Sequence, residues 1–230
     1  MPSFDLICLA NARKMNARCV AGIRVDTGEW IRPVSRLRHG ELNDAHRRLS
    51  NDGEPENFDV IRVGVSQRRP APNQPENWLI DGRPWKLLSR PAPVEAASVL
   101  QRCLLQDPML FGSKSDRAAA AAFEAKPAAE SLVLVRPRNL RWYVSSPLAS
   151  PKKARVRFQL EDASYDLVIT DPPFETRLKN LGPGPHASGE IGVADERVLF
   201  TISLGEPLEG YCYKLVAAVL EWPSGWPAIL

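Results

Sequence analysis

"KARVRFQLEDASYDLVITDPPF", residues 153–174, decides between two folds. Its first residues alternate. Lys153, Arg155 and Arg157 fall on one face of an extended chain, and Ala154, Val156 and Phe158 on the other. Glu161 to Ser164 then read as a hairpin loop, and Tyr165 to Thr170 resume the extended pattern. The close, Asp171-Pro172-Pro173-Phe174, has a second reading. Amino-methylating DNA methyltransferases present a flipped base in this way. The carboxylate and a Pro carbonyl bind the exocyclic amine, and the aromatic ring stacks on the base. The first reading makes an antiparallel hairpin, and the second a parallel α/β enzyme.

The enzyme reading needs a Gly-rich loop between a strand and a helix to hold the methyl donor. The fourteen glycines do not supply it. Gly182 and Gly184 sit in "GPGP", where proline blocks a following helix. Only 59 residues follow Asp171, too few for the rest of a donor-binding sheet. The simpler expectation is that Asp171-Pro172-Pro173 stops a strand, because proline cannot continue the ladder.

Outward from this hairpin, the pattern stays strand-like. In the first half, 4–10, 18–25, 28–34 and 58–66 are short, apolar and rich in β-branched residues. The Pro-rich stretch 68–78 is expected to be irregular. Two helices are predicted in the middle, at 94–106 and at the alanine-rich 117–126, where they divide two β-rich halves. Strands resume at 131–137, 140–146, 153–160, 165–170, 197–204 and 211–220, with a flexible loop over 178–192. Strand and helix do not alternate. The expected fold is therefore mostly β with a central helical pair: two small antiparallel barrels or sandwiches. The boundaries are 1–90, 91–128 and 129–230.

Composition narrows the function classes. The chain has 230 residues, 44% of them hydrophobic and 25% charged, ordinary for a globular protein. No apolar run is long enough to span a bilayer, and the start carries Asp5 and no basic leader, so no membrane partner is expected. The isolated cysteines Cys8, Cys19, Cys103 and Cys212 have no CxxC spacing. They point to a reducing cytoplasm and away from zinc. No metal or cofactor is expected. The three histidines lack a nucleophilic partner in a recognisable setting, and the reading leans away from an enzyme. The net charge is only +3, but residues 1–115 hold 17 Lys and Arg against 13 Asp and Glu, whereas 116–230 hold 13 against 14. Of the 30 basic residues 22 are Arg, which suits bidentate phosphate contact and equally reflects a codon preference.

Four segments carry a resemblance: "RCVAGIRVDTGEWIRPVS" (18–35), "NQPENWLID" (73–81), "YDLVITDPPFE" (165–175) and "ISLGEPLEGYCYKLVAAVL" (202–220). In this order they resemble the bacterial dual OB-containing domain family, over nearly the whole chain. The resemblance implies two tandem OB-type barrels that bind nucleic acid, often in defence against foreign DNA. It brings no catalytic residues with it.

OB barrels hold single strands with a basic groove and aromatic platforms. In the first half the candidates are Arg13, Lys14 and Arg18 in the expected first interstrand loop, followed by Trp30, Arg32 and Arg36. Trp30 reads equally as a stacking platform or a core anchor. In the second half they are Trp142, Tyr143, Lys153, Arg155 and Arg157, with Lys152 beside them, and Lys214 inside an apolar run. The row Lys153-Arg155-Arg157 reads either as a phosphate track or as a charged edge that prevents aggregation. Lys214 either reaches a ligand or snorkels to water. The partner expected is nucleic acid, DNA or RNA, with a protein partner in a larger system. The competing reading is a protein–protein adaptor; a metal-dependent nuclease is a further alternative.

Overall fold

In the computed structural model, which describes residues 2–90, 92–145 and 153–229, the strands close into rings. The first ring consists of β1 (Ser3–Lys14), β2 (Ala17–Arg24), β3 (Trp30–Val34), β4 (Val60–Arg68) and β5 (Asn77–Ile80), with the short helix α1 (Asp44–Arg47) between β3 and β4. The neighbour order is β1-β2-β3-β5-β4, and β4 pairs back onto β1. β3 and β5 run parallel, and the other pairs are antiparallel. β1 can serve two neighbours because it is long and bulged. Ser3 to Ile7 pair with β4, Leu6 to Lys14 pair with β2, and the register shifts between Cys8 and Ala10. β6 (Lys86–Ser89) extends β4 outside the ring.

The second half repeats this plan. After α2 (Ala96–Arg102), β7 (Arg117–Ala119) and α3 (Ala120–Ala125) come β8 (Leu132–Val135), β9 (Arg138–Ser145), β10 (Lys153–Leu160), β11 (Ala163–Ile169), α4 (Pro172–Leu181), β12 (Gly184–His186), β13 (Val198–Leu208) and β14 (Tyr211–Glu221). Only Arg136 and Pro137 separate β8 from β9, so the two act as one bent strand. Its first part pairs with β13 and its second with β10. The order is then β8/β9-β10-β11-β14-β13, again with a single parallel pair, β11–β14, and with α4 in the place of α1. Both halves thus have the connectivity of a five-stranded OB-like Greek-key barrel.

Each barrel has its own interior. Leu6, Cys8, Val20, Ile31, Ile61, Val63 and Trp85 fill the first. Trp142, Val156, Phe158, Leu167, Phe200 and Val216 fill the second. A third core joins them. Ile7, Leu9 and Ile23 on the outside of the first barrel meet Leu134, Leu199 and Leu220 on the outside of the second. Phe58 packs edge-on against Trp222 and Trp226, with centroids 6.2 and 5.3 Å apart. The helices expected to divide the halves do not hold them apart. α2 instead lays Ala96, Ala97 and Leu100 into this shared core.

Four local expectations are corrected. The Pro-rich stretch 68–78 contains the end of β4 and the start of β5, because Pro70, Pro72 and Pro75 fall in the loop and leave the ladder intact. The alanine-rich segment is helical only from Ala120, since Arg117 to Ala119 pair with β14. The first helix runs from Ala96 to Arg102, shorter than 94–106. Residues 178–192 hold the end of α4 and the strand β12, which pairs with β9.

Candidate nucleic-acid interface

Where the barrels meet, the β1–β2 hairpin of the first leans over the outer face of β10, β11 and β14 in the second. The Arg13 amide donates to the Thr170 carbonyl at 2.7 Å and ties the end of β1 to the end of β11. Beside this tie lies a cleft of about 610 Å³, within the usual range of ligand sites. Ala10, Ala12, Val168, Leu215 and Ala217 give it an apolar wall. Arg13, Lys14, Arg32, Lys153, Arg155 and Lys214 line it against only three carboxylates, Asp116, Asp166 and Glu206. Half of the twelve sequence candidates, drawn from both ends of the chain, therefore line one cleft.

Several of these cations are already engaged. Arg13 forks onto Glu175, with Nε 3.0 Å from Oε2 and Nη2 2.6 Å from Oε1. Lys14 Nζ reaches Glu206 Oε1 at 2.7 Å, and His39 Nδ1 lies 2.7 Å from the other oxygen of the same carboxylate. These pairs clamp the two barrels together at the cleft mouth. Neither Arg13 nor Lys14 is in the loop: both lie on β1, and only Met15 and Asn16 form the turn.

On the second barrel the alternation along β10 holds, with Ala154, Val156 and Phe158 buried and the three cations outward. The track is interrupted, however, by Asp166 on β11, which is opposite Arg157. Arg155 Nε donates to its Oδ1 at 2.8 Å and Arg157 Nε to its Oδ2 at 2.9 Å, and the Tyr143 hydroxyl donates to the same carboxylate. Partial burial pushes the Asp166 pKa up, but Tyr143 and the two arginines outweigh it and hold the carboxyl below its usual range. Burial likewise works against the Arg155 charge, and Asp166 and Tyr143 leave it raised. Arg157 also lies over the Tyr143 ring, 5.2 Å from its centroid. Lys153 makes no ion pair among the described residues and is exposed at the cleft. Lys152 lies outside the described residues.

Of the remaining candidates, Trp142, Trp30, Arg18 and Arg36 do not line the cleft, and Arg32 and Lys214 border it from buried positions. Trp142 is 0% exposed. Its indole donates to Ser188 Oγ at 2.8 Å and its ring packs on Phe174 and Phe200, so it anchors the core and offers no stacking face. Trp30 packs against the shared core. Arg18 pairs with Arg13 across the β1–β2 ladder and bonds through its backbone to Leu42. Arg36 follows β3 at an exposed position away from the cleft. Arg32 is buried in a polar network between the barrels. Lys214 turns inward with Cys212 and Val216, while Tyr213 and Leu215 face the cleft. Its Nζ donates to the Ser113 carbonyl at 2.7 Å and hydroxyl at 2.8 Å. Burial lowers its pKa to about 8, opposed by Asp116. It fastens segment 107–116 across the end of the barrel, with no free reach to a ligand.

The Asp-Pro-Pro-Phe motif is structural. Asp171 caps α4, Pro172 opens the helix, and Phe174 is buried against Trp142. Asp171 and Phe174 are both buried, so neither is presented at the surface.

Met15, His39 and Glu206 were not legible as site residues. Their only sequence signal is an apolar residue in a basic hairpin turn, since Glu206 comes from the far end of the chain.

A family model described as Dual OB-containing domain matches residues 4–219. No curated protein and no solved structure matches the chain.

Proposed function

The chain belongs to the dual OB-containing domain family, and from this premise we propose that the cleft between its barrels binds single-stranded nucleic acid. One observation carries the reading. OB-type barrels hold oligonucleotides with the face of their second and third strands and with the loops joining strands one to two and four to five. Here the β1–β2 loop of the first barrel, the β10–β11 face of the second and the β13–β14 hairpin of the second all border one cleft. The corresponding outer face of the first barrel is partly covered by the shared core, through Ala21, Ile23 and Trp30, and its Cys19 and Arg32 border the same cleft. Lys153, which makes no ion pair among the described residues, suits a phosphate, and the apolar wall suits bases.

In this reading the protein is a recognition module without chemistry of its own. It acts in the cytoplasm for a larger system that processes or restricts nucleic acid. The resemblance supports that role, and the four free thiols suit a reducing compartment. No helix among the described residues is long and apolar enough to cross a membrane.

The test is fluorescence anisotropy with labelled single- and double-stranded DNA and RNA over a salt series. Single strands are expected to bind with a steep salt dependence. Lys153→Gln, which breaks no ion pair among the described residues, is expected to weaken binding several-fold and to reduce the log–log salt slope by about 0.7. Binding that ignores both salt and Lys153 would sink the reading and favour a protein partner.

A second expectation follows from the interrupted cation track. Asp166→Asn removes the carboxylate between Arg155 and Arg157, so affinity should rise on the order of a few fold at low salt and converge with wild type at high salt. Titrations of the two proteins at matched salt check it. A loss of affinity would place the phosphates elsewhere.

A further inference from the structure

Two hairpin tips border the cleft, and both present apolar side chains to solvent. Met15 is 62% exposed and Leu208 is 61% exposed, and both line the cleft. Neither packs into any of the hydrophobic cores. The Met15 backbone is in the left-handed region, as it is at six other described non-glycine residues, Glu161 at the start of the β10–β11 turn among them. Lys14 pairs with Ala17, so Met15 and Asn16 make a two-residue turn, and Met15 occupies its first position with φ 53°. Glycine is the usual residue at such a position, because a Cβ there is strained. The β13–β14 turn obeys the ordinary rule in part, with Glu209 at φ 51° and Gly210 at φ 82°. The β1–β2 turn does not, although Asn16, the better-suited residue, is its neighbour. A strained, exposed methionine at the mouth of a basic cleft breaks both the conformational and the burial preference at one position, as functional sites do.

Resting on the nucleic-acid reading above, we propose that Met15 and Leu208 form a wedge that separates neighbouring bases of the bound strand, so that the cleft receives an unstacked base. The chemistry fits. Apolar side chains inserted between base steps unstack them, and the methionine thioether is polarizable and makes favourable contacts with aromatic faces. Lys153 makes no ion pair among the described residues and is open to a phosphate, while Ala12, Val168 and Leu215 offer the displaced base an apolar wall. Lys153 at the cleft, beside two arginines that share the single carboxylate Asp166, favours a phosphate backbone over an apolar peptide as the occupant.

The experiment uses a single-stranded DNA with 2-aminopurine between adenines, whose fluorescence is quenched by stacking, and a fluorescein end label read by anisotropy. Saturating wild-type protein is expected to raise the 2-aminopurine signal severalfold. Met15→Gly is expected to lose most of that rise while its Kd changes by less than about tenfold, and to raise Tm, because glycine adopts the turn without strain. Leu208→Ser, at a separate exposed position, should lose part of the rise. Saturated binding with no fluorescence change overturns the wedge but leaves the nucleic-acid reading standing, as does a rise unaltered in both variants. Tighter binding to duplex than to single strand also overturns it. No anisotropy change with any strand at low salt overturns the underlying reading itself.

Discussion

Arg32→Ala is expected to destabilise the protein by about 3–5 kcal/mol, the range for removing one partner of a buried ion pair. Arg32 is 2% exposed. It points outward from β3, away from the first barrel's core, yet never reaches solvent because the second barrel covers it. Its Nε donates to Glu76 Oε1 at 3.0 Å, and its Nη2 donates to Ser131 Oγ at 2.8 Å and to Ser203 Oγ at 3.3 Å. The Ser131 hydroxyl completes the circuit by donating to Glu76. One guanidinium thus joins β3 and the β4–β5 connection to the start of β8 and to β13. Alanine would leave the Glu76 carboxylate buried without its counter-charge, in a region where Glu130 already has a raised pKa through burial and through Glu76. The double variant Arg32→Met with Glu76→Gln removes both charges and should cost clearly less than the single one. Urea unfolding with coincident probes measures this. A cost below about 1 kcal/mol for Arg32→Ala would mean that water reaches the network and compensates the charge. The expected loss of about 3–5 kcal/mol is a large part of a typical domain's 5–15 kcal/mol. Because Arg32 and Ser203 also line the cleft, it would loosen the geometry on which any binding there depends.

The same residue marks where sequence reading succeeds and where it stops. The alternation along 153–160 identified β10 and its inward face, because a period of two is a property of neighbouring residues. The Pro-rich "NQPENWLI" concealed β5, because its pairing partner in the parallel ladder, β3, lies more than forty residues away and leaves no local trace. The candidate list mixed two kinds of arginine for a related reason. Residue type and spacing place Arg32 and Arg155 on exposed faces alike. Only the docking of the second barrel onto the first turns Arg32 into a buried tie, while Lys153 stays exposed. Asp166 falls within the decisive stretch, but its position between Arg155 and Arg157 depends on the register of β10 against β11. In that register Glu161 and Asp162 alone form the turn between Leu160 and Ala163, two residues tighter than the four-residue loop expected. The cleft is less legible still, since positions 13, 153 and 206 meet only after both rings have closed.

Asp171→Ala is expected to cost about 2–4 kcal/mol, and its cause differs from that of Arg32. Asp171 is buried at the end of β11, where it does two tasks with two oxygens. Oδ1 accepts from the Phe174 amide at 3.4 Å and caps α4. Oδ2 accepts from the Val219 amide on β14 at 2.9 Å. The Asn57 side chain, from the first barrel, also hydrogen-bonds the carboxylate. Loss of a cap costs about 0.5–2 kcal/mol, and an orphaned buried amide about 1–3 kcal/mol. Asp171→Ser should recover the cap but not the reach to Val219, and so should fall between alanine and wild type. The pH dependence separates this role from a surface one. Burial raises the Asp171 pKa above its ordinary 3.8, and the amide bonds only partly oppose it. The folded state therefore binds this proton more tightly than the unfolded state does. The stability that this group contributes by holding its proton is fully present below pH 3.8 and is lost as pH rises through the raised pKa. Asp171→Asn, which cannot ionise, should remove that component from the stability–pH curve. Measuring unfolding free energy from pH 3.5 to 7 for the two proteins tests it. Parallel curves would mean that Asp171 titrates like a solvated carboxylate, and its place as the buried pin between β11, α4 and β14 would have to be given up.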